Sequence, residues 1–326
     1  MSLLEVEDLH VWFDLSDGGQ LHAVRGVTLE VDVGETIGLV GESGCGKTTT
    51  ILAIMGLLPP LASVSGDVRF DGESILSGGE ETMQPHRWKD VAMVFQGAMN
   101  ALNPVKTIEA QIVEPMEFHG IADGVEAKVA AAELLEMVGI SAGAGSRYPH
   151  EFSGGMRQRA ALAMALACRP KVLLADEPTT ALDVMVQAQI LELLRGLTRD
   201  LGLTLVLVTH DLPVVAQVCE RAVVMYAGEI VEAGRIEDLF HSPRHPYTRL
   251  LFAATPDLYG DEDVVSIPGA PPRLDREIVG CPFRERCDRA FERCRSERPM
   301  LLSLGDGRMA ACHLNDDRFA ASSRWR

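Results

Sequence analysis

Gly41-Glu42-Ser43-Gly44-Cys45-Gly46-Lys47-Thr48 lies between the apolar run Ile37-Gly38-Leu39-Val40 and a helical pattern over residues 48–58 that Pro59-Pro60 stops. A strand, a glycine loop and a helix N-terminus in that order make an anion cradle. The glycines let successive main-chain N–H groups turn toward phosphate oxygens, and the helix start adds partial positive charge. The spacing G-x-x-x-x-G-K-[ST] then assigns Lys47 to the β- and γ-phosphates and the Thr48 hydroxyl to Mg²⁺.

Outward from this loop, the preceding residues alternate short β-like runs with turns. Residues 3–6 and 23–31 read as strands, the second broken by Gly26, and Gly18-Gly19 reads as a hairpin tip. Downstream, residues 97–170 are rich in Ala, Leu, Met and Glu, and helical runs are expected at 107–119, 125–138 and 155–167. Val172-Leu173-Leu174-Ala175 and residues 204–208 follow as buried strands separated by a long helix over 184–201. Apolar strands alternating with helices predict a parallel α/β sheet. The first of them ends in Asp176-Glu177, which places an acid at the metal shell and a second acid where it orients or deprotonates water.

Composition sets the bounds. The 326 residues are 47% apolar and 24% charged, which suits a globular core and excludes fibres and disorder. A net charge of −17 argues against a protein that coats nucleic acid. The charge is uneven, since residues 268–326 carry 12 Arg and no Lys against 9 Asp and Glu. No window reaches the roughly 18 apolar residues that span a bilayer, and the N-terminus lacks the features of a signal peptide, so a cytoplasmic chain is expected. Of seven cysteines, Cys45, Cys168 and Cys219 are scattered, whereas Cys281, Cys287, Cys294 and Cys312 lie close together, unlike a secreted disulfide framework.

Just upstream of the acidic strand stands Phe152-Ser153-Gly154-Gly155-Met156-Arg157-Gln158-Arg159. Read alone, Ser153 is a helix N-cap and its turn an anion site. The stretch resembles the L-S-G-G-Q signature of ATP-binding cassette (ABC) ATPases, with Phe152 for Leu and Met156 for Gln. Other landmarks of that family occur in its order: Gln96 after Val91-Ala92-Met93-Val94-Phe95, then Ala181-Leu182-Asp183, then His210. The resemblance covers the chain to about residue 240. It implies an α/β fold, a P-loop NTPase nucleotide-binding domain with a RecA-like core, a β subdomain and a helical signature subdomain.

By the same resemblance, ATP is bound by Ser43, Gly44, Cys45, Gly46, Lys47, Thr48 and Thr49, with Phe13, or its neighbour Trp12, stacking on adenine. Thr48, Gln96 and Asp176 surround Mg²⁺, Glu177 is the catalytic base, Gln96 links the site to the membrane partner, and His210 contacts the γ-phosphate. Ser153, Gly154 and Gly155 act on nucleotide held by a partner cassette, and Asp183 communicates across that dimer. A second ABC ATPase subunit is therefore implied.

Leu102-Asn103-Pro104, Tyr148-Pro149-His150-Glu151-Phe152 and His245-Pro246-Tyr247-Thr248, followed by a cysteine-bearing tail, are similar to the oligopeptide/dipeptide importer ATPases. The segment after Gln96 departs from that pattern, with Gly97-Ala98 where Asp-Pro is common. The tail spacing is C-x5-C-x6-C-x17-C from Cys281 to Cys312. Four thiolates suit Zn²⁺ or a [4Fe-4S] cluster, with free structural cysteines as the plain alternative, and the resemblance favours the cluster, as a structural staple for a tail with little core.

The division expected is 1–240 for the ATPase, with about 97–170 as the helical subdomain, and 241–326 for a C-terminal extension. The machine implied is a peptide importer with two transmembrane permeases and an extracytoplasmic peptide-binding protein. The chain would sit peripherally at the cytoplasmic face of the inner membrane, with no nucleic-acid partner. Alternatives are an importer for nickel, an opine or a glycan, a soluble ABC ATPase outside transport, and a cassette that binds ATP without useful turnover.

Overall fold

The computed structural model describes residues 2–97, 101–180, 182–254 and 266–316; Ala98 and Ala181 of the motifs above lie outside them. The fold opens with β1 (Ser2–Asp14), β2 (Gln20–Asp32), β3 (Thr36–Val40), α1 (Lys47–Ile54), β4 (Ala62–Phe70), β5 (Glu73–Ser74), α2 (Glu80–Met83) and β6 (Val91–Val94). Next come α3 (Ile108–Phe118), α4 (Gly124–Met137), α5 (Gly154–Ala165), β7 (Val172–Asp176), α6 (Val184–Leu201), β8 (Thr204–Thr209) and α7 (Leu212–Val218). The chain continues through β9 (Arg221–Tyr226), β10 (Glu229–Arg235), α8 (Ile236–His241), α9 (Pro246–Ala253), α10 (Arg293–Ser296), β11 (Leu302–Gly305) and β12 (Arg308–Ala310).

These elements sort into two compact units. The first comprises Met1–Leu4, Glu30–Thr36 and Arg69–Val208. In it β6 and β8 flank β7 in parallel, with Val94 opposite Ala175 and Ala175 opposite Leu207. All five residues of β7 and all six of β8 are buried, which is why both read as unbroken apolar runs rather than alternating ones. Helix α6 is bounded by its own chemistry. Asp183 accepts the Val186 N–H at 3.0 Å as N-cap, Gly202 ends the helix at φ +64°, and Ile190, Leu191, Leu194 and Leu197 form the buried face. Helices α3, α4 and α5 occupy the three expected places, α3 starting at Thr107, whose hydroxyl accepts the Ala110 N–H at 3.3 Å.

The second unit comprises Glu5–Leu29, Ile37–Val68 and Thr209–Arg326. Its β3 pairs in parallel with β9, and β9, β10, β12 and β11 continue antiparallel in that order. Ala310 of β12 lies opposite Glu232 of β10, so the far C-terminal hairpin extends this sheet. Helix α7 packs so closely on β3 that a Cβ at Gly38 would stand 2.3 Å from Val215 Cγ1. A second group of strands has β1 between β2 and β4, and the turn joining β1 to β2 is closed by the Leu15 N–H donating to Gly19 O at 2.8 Å.

Several boundaries differ from expectation: β1, expected over residues 3–6, runs on to Asp14. Gly26 does not break β2, which runs through it at φ +80°. Helix α1 ends at Ile54, before Pro59-Pro60, because Gly56 turns left-handed at φ +60°. The Leu57 N–H then donates to Leu52 O at 2.8 Å and the Gly56 N–H to Ala53 O at 3.0 Å. That pair of bonds is a Schellman stop, which satisfies the last carbonyls before the prolines are reached.

Candidate functional site

The phosphate loop belongs to the second unit and joins β3 to α1. Gly41 at φ +149° and Gly46 at φ +105° are glycines by necessity: a Cβ would lie 2.3 Å from Met225 O at the first and 2.6 Å from Ala23 O at the second. Lys47 is buried, and its ammonium donates to Gly41 O at 2.8 Å and Glu42 O at 3.0 Å, so its charge is held inside the curl of the loop. Ser43 and Gly44 are exposed at the crest, Thr48 and Thr49 half-buried, and Cys45 faces inward, where burial pushes its thiol up. Gly44 has φ +79° but open space around a Cβ. Gly44→Ala therefore costs about 1 kcal/mol of left-handed strain. Gly46→Ala adds a backbone collision, and in thermal unfolding it lowers the midpoint by more than Gly44→Ala.

Two aromatic candidates stand near the end of β1. The Trp12 ring lies 4.6 Å from that of His22 and 5.3 Å from that of His10, nearly parallel to both. The His10 Nδ1 and His22 Nε2 atoms are 3.0 Å apart, and burial with the nearby Arg25 charge lowers the His22 pKa to about 4. Trp12 is thus engaged on one face of the strand, and the half-buried Phe13 falls on the other. His210 follows β8 directly and is exposed.

The first unit holds the acids. Asp176 is the last residue of β7 and is buried. Glu177 follows at φ +43°, a left-handed conformation uncommon outside glycine, fixed by its N–H donating to Val208 O at 2.8 Å. Register brings Gln96 to it, since Val94 pairs with Ala175 and each chain continues two residues further. The Gln96 amide donates to Glu177 Oε2 at 2.8 Å, and the Thr180 hydroxyl donates to the same oxygen at 2.9 Å. Thr180 was not among the expected site residues; a hydroxyl three positions past an acidic strand end is the signal that marks it.

Ser153, Gly154 and Gly155 open α5 in the same unit. Ser153 is the N-cap, its hydroxyl accepting the Met156 N–H at 3.3 Å. Residue 156 therefore serves the turn through its backbone, which tolerates Met in place of Gln. Gly155 is packed against α6, where a Cβ would meet Val186 Cγ1 at 2.6 Å, and Asp183 caps that helix.

Cys281, Cys287, Cys294 and Cys312 line one narrow cavity of the second unit, with Phe283 and Phe291 in its walls. None is in a disulfide. Burial pushes the Cys281 and Cys312 thiols up to about 12 and raises that of Cys287. Among the described residues, no three or more His, Cys, Asp or Glu side chains are arranged to hold a metal ion.

Residues 24–180 match the ABC transporter family and residues 231–294 the oligopeptide/dipeptide transporter C-terminal region. A probable peptide ABC transporter ATP-binding protein, y4tR of Sinorhizobium fredii, is 46% identical over 95% of this chain and 94% of its own. The oligopeptide transport ATP-binding protein OppD of Bacillus subtilis is 45% identical over 93% of this chain and 86% of its own. The dipeptide transport ATP-binding protein DppD of Escherichia coli is 43% identical over 96% and 97%. The solved ATP-binding cassette MJ0796, in a dimeric post-hydrolysis state bound to ADP and Pi, superposes with a TM-score of 0.64 at 29% identity, covering 72% of this chain and 98% of that one. With a phosphate loop, an acidic strand end and a capped Ser-Gly-Gly turn in one sequence that aligns over most of its length with such relatives, the chain belongs to the ABC transporter family, among its oligopeptide and dipeptide transport ATP-binding proteins.

Proposed function

We propose that this chain is the ATP-hydrolysing subunit that powers import of di- and oligopeptides through an ABC transporter. The observation that carries the reading is the joint match of cassette and C-terminal region to peptide-transport ATP-binding proteins over nearly the whole length. Residues 1–240 form the ATPase, with a helical subdomain at about 97–170, and residues 241–326 the transporter-type extension. Among the described residues no helix is long and apolar enough to cross a membrane. In this reading two permease subunits supply the pore, and this chain docks peripherally on their cytoplasmic side. An extracytoplasmic peptide-binding protein delivers the solute.

In the reaction, the main-chain N–H groups of residues 43–49 and the Lys47 ammonium hold the phosphates, and Phe13 stacks on adenine. By the family resemblance Thr48, Gln96 and Asp176 would hold Mg²⁺, which would supply charge neutralisation at the phosphates. Glu177, oriented by Gln96 and Thr180, takes a proton from the attacking water, and His210 contacts the γ-phosphate. Ser153, Gly154 and Gly155 face the nucleotide of a second cassette, and Asp183 communicates across that dimer. Binding then favours closure and hydrolysis reopening, the differential affinity that drives a transport cycle.

Cys281, Cys287, Cys294 and Cys312 hold a [4Fe-4S] cluster. Four thiols lining one cavity are a donor set that suits a [4Fe-4S] cluster or Zn²⁺ alike, and the family resemblance favours the cluster. Anaerobic purification followed by iron, sulfide and zinc assays yields iron and sulfide with little zinc; a folded, metal-free chain removes the proposal.

The transport reading is tested by affinity capture of the tagged chain from gently solubilised membranes. Two permeases, a second cassette and a peptide-binding protein are the expected co-purifying chains. Ribosomal or DNA-bound partners without membrane subunits would overturn the importer and leave an ATPase of another machine.

A further inference from the structure

Glu42, the second residue of the phosphate loop, has each of its polar groups committed within the second unit. Its N–H donates to Tyr247 Oη at 2.8 Å, and its carbonyl accepts from the Lys47 ammonium at 3.0 Å. Its carboxylate receives both terminal nitrogens of Arg286, Nη1 at 2.6 Å and Nη2 at 2.8 Å. The Arg286 side chain is 3% exposed and that of Glu42 25%, so this is a half-buried, two-pronged ion pair rather than a fully surface one of small net effect.

The grip is itself well anchored. Arg286 Nε donates to Pro268 O at 2.8 Å, and Nη1 also reaches Tyr226 Oη at 3.3 Å. The Tyr226, Tyr247 and Phe283 rings, all fully buried, pack with centroids 4.6 to 5.3 Å apart, and the guanidinium carbon lies 5.7 Å from the Tyr226 ring. Phe283 and Arg286 both fall between Cys281 and Cys287, so the segment that carries the first two thiols also carries the grip. Nothing in the chemistry of phosphate binding requires a carboxylate at position 42, which points inward to an arginine instead of toward nucleotide.

We propose that Arg286 and Tyr247 are positioning residues for nucleotide binding: by fixing Glu42 they hold the phosphate loop, and the lysine it curls around, in the shape that receives phosphate. The proposal rests on the reading of residues 41–48 as the ATP phosphate site. A loop ordered before the ligand arrives spends less of its binding free energy on ordering, so affinity depends on the brace although neither side chain touches nucleotide.

The test is ATP and adenosine affinity of the full-length chain, by titration calorimetry, for Glu42→Gln, Arg286→Gln, Tyr247→Phe and the Glu42→Gln/Arg286→Gln pair. Each single change weakens ATP binding about fivefold or more, with adenosine affected less, and the pair is no weaker than the worse single change, because both remove one contact. Tyr247→Phe deletes a single hydroxyl and keeps the ring, so it carries the test if Arg286→Gln does not fold. Folded variants that bind ATP as the parent does, or effects that add in the pair, overturn the brace alone. A parent chain that binds ATP no better than Lys47→Ala overturns the phosphate-site reading, and the brace with it.

Discussion

Glu177→Gln lowers steady-state ATP hydrolysis ~10²–10⁴-fold, the usual contribution of a positioned general base, and leaves ATP affinity nearly unchanged. The asymmetry follows from the contacts of the carboxylate. One oxygen, Oε2, takes hydrogen bonds from the Gln96 amide at 2.8 Å and the Thr180 hydroxyl at 2.9 Å. An amide oxygen in the same place accepts both, so Gln at this position keeps its neighbours and loses only the ability to take a proton from water. Main-chain geometry is conserved as well, since the left-handed turn at φ +43° is fixed by the residue's own N–H on Val208 O. Single-turnover hydrolysis beside equilibrium binding of ATP separates the two effects. Hydrolysis within a fewfold of the parent would remove Glu177 from the role of base and leave it a structural acid at a strand end. Loss of binding along with turnover would instead mean that its charge, not its basicity, is what the site uses.

Much of this arrangement is legible in the sequence because the physics that sets it is local. Parallel strands buried on both faces must be continuous apolar runs, and Val172-Leu173-Leu174-Ala175 is one. Helix α6 declares both ends, with an aspartate cap and a left-handed glycine. The helix after the phosphate loop is misjudged for the same reason in reverse: prolines are the louder signal, but Gly56 completes its stop first. Trp12 and Phe13 are indistinguishable as letters and separate only when His22 is brought across from the neighbouring strand to stack on one of them. The grip on Glu42 lies wholly beyond local reading. Its partners are 205 and 244 residues away, and the motif leaves position 42 free to be anything. Tyr247 and Arg286 do appear in stretches that resemble the peptide importers, yet a resemblance says where a family agrees, not which atom a side chain holds.

Lys47→Ala weakens ATP binding ~10–100-fold, the value of one lost charge-assisted hydrogen-bonding group in a buried site. The structure offers two distinct reasons for such a loss, and they make different predictions. The ammonium is a buried charge whose Gly41 and Glu42 carbonyl contacts, at 2.8 and 3.0 Å, staple the loop to itself. It is also the cation that the motif assigns to the β- and γ-phosphates. If stapling were its whole work, the variant would bind ATP, ADP and AMP worse by similar factors, because a slack loop affects every nucleotide that orders it. If the ammonium bonds the outer phosphates, the loss is large for ATP and ADP and small for AMP, which lacks both. Calorimetric titration of the three nucleotides into parent and variant, beside thermal unfolding without nucleotide, distinguishes them. The second pattern is expected, because an ammonium makes three donations, of which loop carbonyls take two and the third meets only the Cys45 sulfur at 3.8 Å, a weak acceptor that phosphate oxygens outcompete. Its charge stays buried at little cost only while such acceptors surround it, and phosphate oxygens are the stronger acceptors. Equal losses across the three nucleotides would reassign Lys47 from ligand to scaffold.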